Sequence, residues 1–265
     1  MKILITLIRW KGGVGRVVEN QKRELEKLGH EVEVISREDD LKCFSTKKAW
    51  FKLQDEVLKR EYDVLYSQDW SCALPLILRR NHFVCFHGKE INTNWLQKLI
   101  GKLKGKKVFV VGDKLKKKFP KATILYNAVD TAQFFDLGKE RKYLGWVDKA
   151  TEEIDLQDII KLAREHGLKY SIAKDIKPDK MNDWYNSLKV FVSKPDKSAG
   201  FNLVWSEALS AGVPEVIGNN NGIGIDKIKK TWKELSWKEN ARILEELFNK
   251  FLPYEKLKKE VKERR

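Results

Sequence analysis

The sequence predicts an α/β protein of doubly wound parallel sheets. Three features carry this: short apolar runs alternate with amphipathic segments from the first residue, a glycine-rich turn follows the first run, and the alternation restarts after a polar connector. Near-continuous apolar runs suit strands covered on both faces, as parallel sheets require.

Lys2–Ile8 is the first such run. Val14–Leu28 follows as a helix, with Val17, Val18, Leu25 and Leu28 as a rough stripe and Gly29 at its end. Further strands are expected at Glu31–Ser36, Asp63–Ser67, Phe83–Phe86, Lys107–Val111 and Thr123–Tyr126, with helices near 41–60, 70–79, 92–104 and 113–118. The connector AQFFDLGKERK then leads into a second unit, with strands Tyr143–Val147, Tyr170–Ala173, Val190–Val192 and Glu215–Ile217. Its helices are expected near 155–166, Met181–Ser187 and Leu203–Ala211. The chain after Asp226 is charged and helical. These signals divide the chain into a first domain over 1–137, a second over 138–249, and a terminal helix at 250–265 joining the first.

Composition narrows the functional classes. The chain has 265 residues, 42% hydrophobic and 34% charged, which is a globular balance. No stretch nears the ~20 apolar residues of a membrane span, and MKILITLIRWKGG has no cleavage-site pattern, so neither a transmembrane nor a secreted protein is expected. Cys43, Cys72 and Cys85 lack the count of a disulfide framework and the spacing of a zinc site, and read as reduced residues of a cytoplasmic protein. The net charge of +15 favours phosphate-bearing partners of any kind.

Few residues carry a chemical signal. Gly12, Gly13 and Gly15 open the first helix, where backbone N–H groups attract phosphate or carboxylate. Val18 stands where a dinucleotide fingerprint wants its third small residue, so a nicotinamide oxidoreductase is a third reading. The Gly101–Lys107 run is not a Walker loop, and D-x-D, H-E-x-x-H and paired C-x-x-C motifs are absent, leaving no metal site expected. His87 ends a strand, where open α/β sheets place ligands; the alternative is a histidine satisfied by a loop carbonyl. Glu207 lies in an apolar helix and, if inward, needs a partner such as ligand hydroxyls.

In order along residues 2–222, KGGVGR, GHEVEVIS, DVLYSQD, CFHGKE, LYNAVDTAQF and AGFNLVWSEALSAGVPEVIGNNNG resemble the family 4 nucleotide-sugar glycosyltransferases. The most specific blocks are Asn127–Phe134 and the Gly-Phe-x-Leu…Glu-Ala…Gly-x-Pro stretch. The resemblance implies a GT-B fold, two Rossmann-like domains facing a cleft, and metal-independent sugar transfer with retention of configuration. It assigns Glu207 to the donor ribose, Gly200, Phe201, Asn202 and Leu203 to the pyrophosphate, Gly12 and Gly13 to the donor from the opposite domain, and His87 to the transferred sugar. His87 and Glu207 are thus the catalytic candidates. No cofactor is implied beyond the nucleotide-sugar substrate.

The chain departs from the family in three places. Paired glutamates separated by seven residues would place one at 199, where this sequence has Ala199. The arginine of the second domain's first strand is Trp146, and the following lysine aligns near Thr151. Lys149 or Lys174 is the expected substitute cation. These departures motivate a second reading, a catalytically impaired GT-B protein that binds nucleotide sugar or an anionic surface without transfer. The segment Trp95–Lys118 interleaves lysines with Leu96, Leu99, Ile100 and Leu103, suiting an anionic membrane surface and a lipid-linked acceptor; the alternative is a solvated helix whose apolar face is core. No nucleic-acid motif accompanies the charge. The expected location is cytoplasmic and peripheral to the membrane.

Overall fold

A computed structural model describes residues 1–88, 95–147, 152–174, 176–195, 200–220 and 223–252. The first unit runs β1 (Lys2–Leu7), α1 (Gly13–Lys27), β2 (Glu31–Ser36), α2 (Thr46–Leu58), β3 (Val64–Ser67), α3 (Trp70–Ala73), β4 (His82–Phe86), α4 (Trp95–Lys104), β5 (Val108–Val110), α5 (Asp113–Lys118) and β6 (Thr123–Ile124). The second runs β7 (Tyr143–Trp146), α6 (Leu156–Glu165), β8 (Lys169–Ile172), α7 (Met181–Asn186), β9 (Leu188–Val192), α8 (Leu203–Ser210), β10 (Glu215–Ile217) and α9 (Ile225–Thr231). The final helix, α10 (Trp237–Phe251), follows a short 3₁₀ turn at Trp232–Glu234.

Both sheets are parallel throughout, in the orders β2-β1-β3-β4-β5-β6 and β10-β9-β7-β8. The first order reverses direction after β2, and right-handed crossovers then put α1 on one face and α2 to α5 on the other. The packing follows the pleat. Leu4 and Leu65 meet Leu53 and Val57 of α2 and Cys72 of α3, whereas Ile3, Ile5 and Tyr66 share a cluster with Val18 and Leu25 of α1. Cys43, Cys72 and Cys85 are all buried, and none is in a disulfide.

The strand runs appear close to where the sequence placed them, but two helical stretches differ. The segment expected as one helix at 70–79 is a single turn followed by a 3₁₀ turn at Leu74–Leu76, because Pro75 has no N–H to continue an α-helix. The stretch after Asp226 is two helices. Ser236 starts the second by accepting a hydrogen bond from the Glu239 backbone N–H.

That second helix, α10, packs beside α1 on the first sheet. Phe248 is fully buried there, its ring 4.8 Å from Phe83 and 5.6 Å from Tyr66 between centroids. The return to the first unit therefore begins at Trp237, earlier than the 250–265 segment expected from sequence, and residues 253–265 lie outside the described residues. Trp237 itself packs with Val17 of α1, Ala128 shortly after β6 and Leu203 of α8, so one small cluster joins both units. No helix among the described residues is long and apolar enough to cross a membrane.

Truncating the aromatic side chain of α10 tests this packing. Phe248→Ala is expected to cost about 3–5 kcal/mol by removing a large buried ring. Urea denaturation measures it, and a loss below about 1 kcal/mol would mean that α10 is not docked on the first sheet.

Candidate active site

The turn between β1 and α1 sets one wall of a cleft. Gly12, the N-cap of α1, takes φ 112°, a left-handed conformation that side chains resist, and it offers no side-chain cap. A Cβ on Gly15 would lie 1.7 Å from the Trp10 carbonyl oxygen, so the turn folds tightly over the helix start only because that position is glycine. The first N–H groups of α1 are left without a side-chain partner.

The opposite wall is the start of α8. Asn202 is its N-cap, yet the side-chain amide donates to Ser193 Oγ at 3.0 Å and caps nothing. Two open helix N-termini thus border one cleft of about 570 Å³, lined by Trp10, Lys11, Gly12, Gly13 and Arg16 on one side and by Ala173, Met181, Phe201, Asn202, Leu203 and Glu207 on the other. Positive helix ends and open N–H groups make such a place favourable for an anion.

Glu207 is the charged group at its centre. It is 5% exposed, and α8 around it is apolar. Arg16 Nη1 donates to its Oε1 at 2.6 Å from across the cleft, and Tyr185 donates its hydroxyl to Oε2 at 3.0 Å. Burial and the Glu207 charge hold the Tyr185 phenol well above its ordinary pKa, so it stays a neutral donor. Sequence reasoning found Glu207 but expected ligand hydroxyls as its partner. It missed Arg16 and Tyr185 as partners. Arg16 stands in the KGGVGR motif, while Tyr185 has no local signal.

His87 occupies a different position. Its backbone lies where the two units touch: a Cβ on Gly200 would come 2.2 Å from the His87 carbonyl oxygen and 2.9 Å from Val111 Cγ2. Its Nε2 is 2.7 Å from Gln68 Oε1, an assignment in which the ring donates and Nδ1 remains the acceptor. The contacts continue through buried amides, from Gln68 Nε2 to Gln21 Oε1 at 3.5 Å, Gln21 Nε2 to Asn240 Oδ1 at 3.0 Å, and Asn240 Nδ2 to the Tyr126 carbonyl at 2.8 Å. Desolvation pushes the His87 imidazole down to about 4, so it is neutral near pH 7. His87 is not among the residues lining the cleft.

The expected substitute cations fare differently. Lys174 is exposed and does not line the cleft; Lys149 and Ala199 lie outside the described residues. Trp146 is 5% exposed and fills core space beside Ile159 and Val190. Its position in the second unit supplies no charge, and among the described residues the cations that line the cleft, Lys11 and Arg16, come from the first. No group of three or more metal-ligating side chains occurs among the described residues.

No protein-family model matches the chain, and no curated protein matches it in sequence. Solved structures do. AviGT4, a glycosyltransferase involved in avilamycin A biosynthesis, superposes with a TM-score of 0.64 at 13% identity, over 94% of this chain and 97% of that one. Sucrose-phosphate synthase from Thermosynechococcus elongatus gives 0.59 at 10% identity over 99% and 98%. Anabaena Alr3699/HepE in complex with UDP and glucose gives 0.56 at 12% identity over 99% and 98%. These neighbours are GT-B glycosyltransferases, and at such identities the likeness establishes the fold: two parallel-sheet α/β domains facing a cleft.

Two substitutions test the local geometry. Gly200→Ala forces a methyl group into the His87 backbone and is expected to lower stability by about 1–3 kcal/mol, read as a lower melting temperature; an unchanged value would contradict the close approach. An imidazole with a depressed folded pKa takes up its proton on unfolding, so stability falls as pH drops from the ordinary 6.5 towards 4. Buried His82, also held low by desolvation, acts in the same direction. His87→Gln should therefore reduce proton uptake on unfolding by about one near pH 5. The slope of stability against pH measures it, and an unaltered slope would rule out a buried neutral His87.

Proposed function

We propose that the protein is a glycosyltransferase that moves a sugar from a nucleotide-sugar donor to an acceptor, with retention of configuration and without a metal. The observation that carries this reading is the buried Glu207 carboxylate between two open helix N-termini, held by a guanidinium from the opposite domain. Among the neighbours, the HepE structures hold UDP, UDP with glucose, or UDP-glucose, which supports a donor of that chemical kind here.

In this reading the ribose hydroxyls of the donor donate to Glu207, and the diphosphate spans the N-termini of α8 and α1. Arg16 then changes partner. Its side chain is 38% exposed while that of Glu207 is 6% exposed, so it is the member of the pair that can swing into the cleft. A ribose that takes over the carboxylate releases the guanidinium to the diphosphate, where it replaces the cation that Trp146 no longer supplies. The departing diphosphate gains negative charge as the glycosidic bond breaks, and fixed N–H groups with Arg16 and Lys11 stabilise it without further reorganisation. The acceptor is assigned to the first-domain side of the cleft; His87, neutral and bonded to Gln68, lies outside the cleft lining and brings no charge to it.

A thermal-shift panel of UDP, ADP, GDP and their glucose conjugates, with NAD(P) as control, tests the proposal, because a ligand at about 100 times its Kd adds about 2.7 kcal/mol of stability. One nucleotide sugar should stabilise the protein selectively, Glu207→Gln should abolish the shift, and labelled sugar should pass to water or an acceptor. Arg16→Gln should weaken the nucleoside diphosphate by roughly 10- to 100-fold, as loss of a charged hydrogen bond does, without weakening the matching nucleoside, whose ribose no longer has to displace the guanidinium. No shift with any nucleotide sugar would refute the reading. Binding without transfer or hydrolysis would favour the impaired GT-B alternative.

A further inference from the structure

The helices on the outer face of the first sheet expose apolar side chains that no core residue covers. On α4, Trp95 is 71% exposed, Leu99 38% and Leu103 59%, at positions i, i+4 and i+8 and hence in one line along the helix. Ile100 of the same helix is fully buried, so α4 carries an inner apolar contact and a separate outer stripe. The stripe does not end with the helix. Lys104 Nζ donates to the Arg79 carbonyl at 2.9 Å, which ties the end of α4 to the segment that carries Leu78, itself 93% exposed. Leu78 in turn shares the rim of a depression of about 810 Å³ with Leu58 of α2, itself 65% exposed, and with Arg60, Arg79 and Arg80.

Around α4 and α5 the charge is almost all of one sign, whereas the depression at Leu58 and Leu78 also takes Glu61 and Asp63 into its lining. Residues 95–122 contain ten lysines and one acidic residue, Asp113, which is ion-paired with Lys227 at 2.6 Å. Between α4 and the end of α5 lies a second depression, of about 400 Å³, into whose lining Lys98, Lys102, Lys118 and Lys121 contribute. Four ammonium groups around one hollow suit a phosphate group, and the leucines beside it suit hydrocarbon.

We infer that this face of the first domain docks on an anionic lipid bilayer, with Trp95, Leu99, Leu103 and Leu78 entering the acyl boundary and the lysine-lined hollow taking a lipid phosphate. A lysine can lay its stem along the apolar side chains and keep its ammonium at headgroup level. Protein interfaces deplete lysine at their centre, and nucleic acid offers phosphate but no hydrocarbon phase to receive leucines. The inference stands on surface chemistry and is independent of the transfer reaction.

Sedimentation of the full chain with vesicles of phosphatidylcholine, alone or with about a third phosphatidylglycerol, tests it. Binding is expected to the anionic vesicles only and to weaken with added salt. Lys98→Gln with Lys102→Gln should lower partitioning by about fivefold per lysine. Trp95→Ser with Leu103→Ser should lower it by at least about tenfold. All four side chains are outside the core, so an unchanged melting temperature shows that these variants fold. Equal binding to both vesicle types, binding to neither, or wild-type binding by either double variant would overturn the inference. So would an oligonucleotide that binds in preference to the vesicles.

Discussion

Glu207 is a buried charge in an apolar helix, and an ionised carboxylate so placed is costly unless a cation or several donors meet it. Its own domain supplies one neutral donor, Tyr185; the cation comes from Arg16 in the other. The consequence reaches beyond the pair. Satisfying Glu207 requires the two sheets to face each other at a fixed distance, with the start of α1 directly across from α8. The cleft is what remains between them.

Three other contacts hold the same geometry. Gly200 lets its backbone meet that of His87 at van der Waals range, where any side chain would intervene. Lys227 of the second domain pairs with Asp113 of the first at 2.6 Å, and its ammonium lies 4.7 Å from the ring centre of Tyr126, just after β6. Trp237 then leads α10 back onto the first sheet, so the chain crosses between domains twice. Two crossings and the Arg16–Glu207 ion pair together hold the two domains across the cleft.

The buried amides extend from His87 to the crossing helix. Gln68, Gln21 and Asn240 are each at most 3% exposed, and they join the end of β4, α1, α10 and the Tyr126 carbonyl in one series. Buried amides of this kind must all be satisfied together, because each one left open costs about 1–3 kcal/mol. The series therefore fixes the registry of α10 on the first domain more narrowly than the surrounding rings do, since aromatic packing tolerates small slides. It also keeps His87 in a chosen orientation without giving it charge.

Strand positions, the glycine turn and the costly Glu207 were legible in the sequence, because each rests on short-range facts: hydrophobic period, the φ demands of a tight turn, and the rarity of a carboxylate among apolar residues; the close approach of Gly200 to His87 was not, because it joins positions far apart in the chain. The missing cation was legible only as an absence. Lys174 lies close in sequence to the second sheet, yet it is exposed, while the cation that meets Glu207 is Arg16, 191 residues away in the chain. The helix α4 shows the same division: its period announced an amphipathic helix, but one face supplies Ile100 to the core while another leaves Trp95, Leu99 and Leu103 in water. Periodicity records how residues repeat along one helix, and it cannot say how wide a stripe the neighbouring sheet will cover. The sequence by itself determined the elements and the residues too costly to leave without partners. Only the tertiary structure decided which partners they have, because a charge pair depends on distance in space and the chain alone fixes distance only between near neighbours.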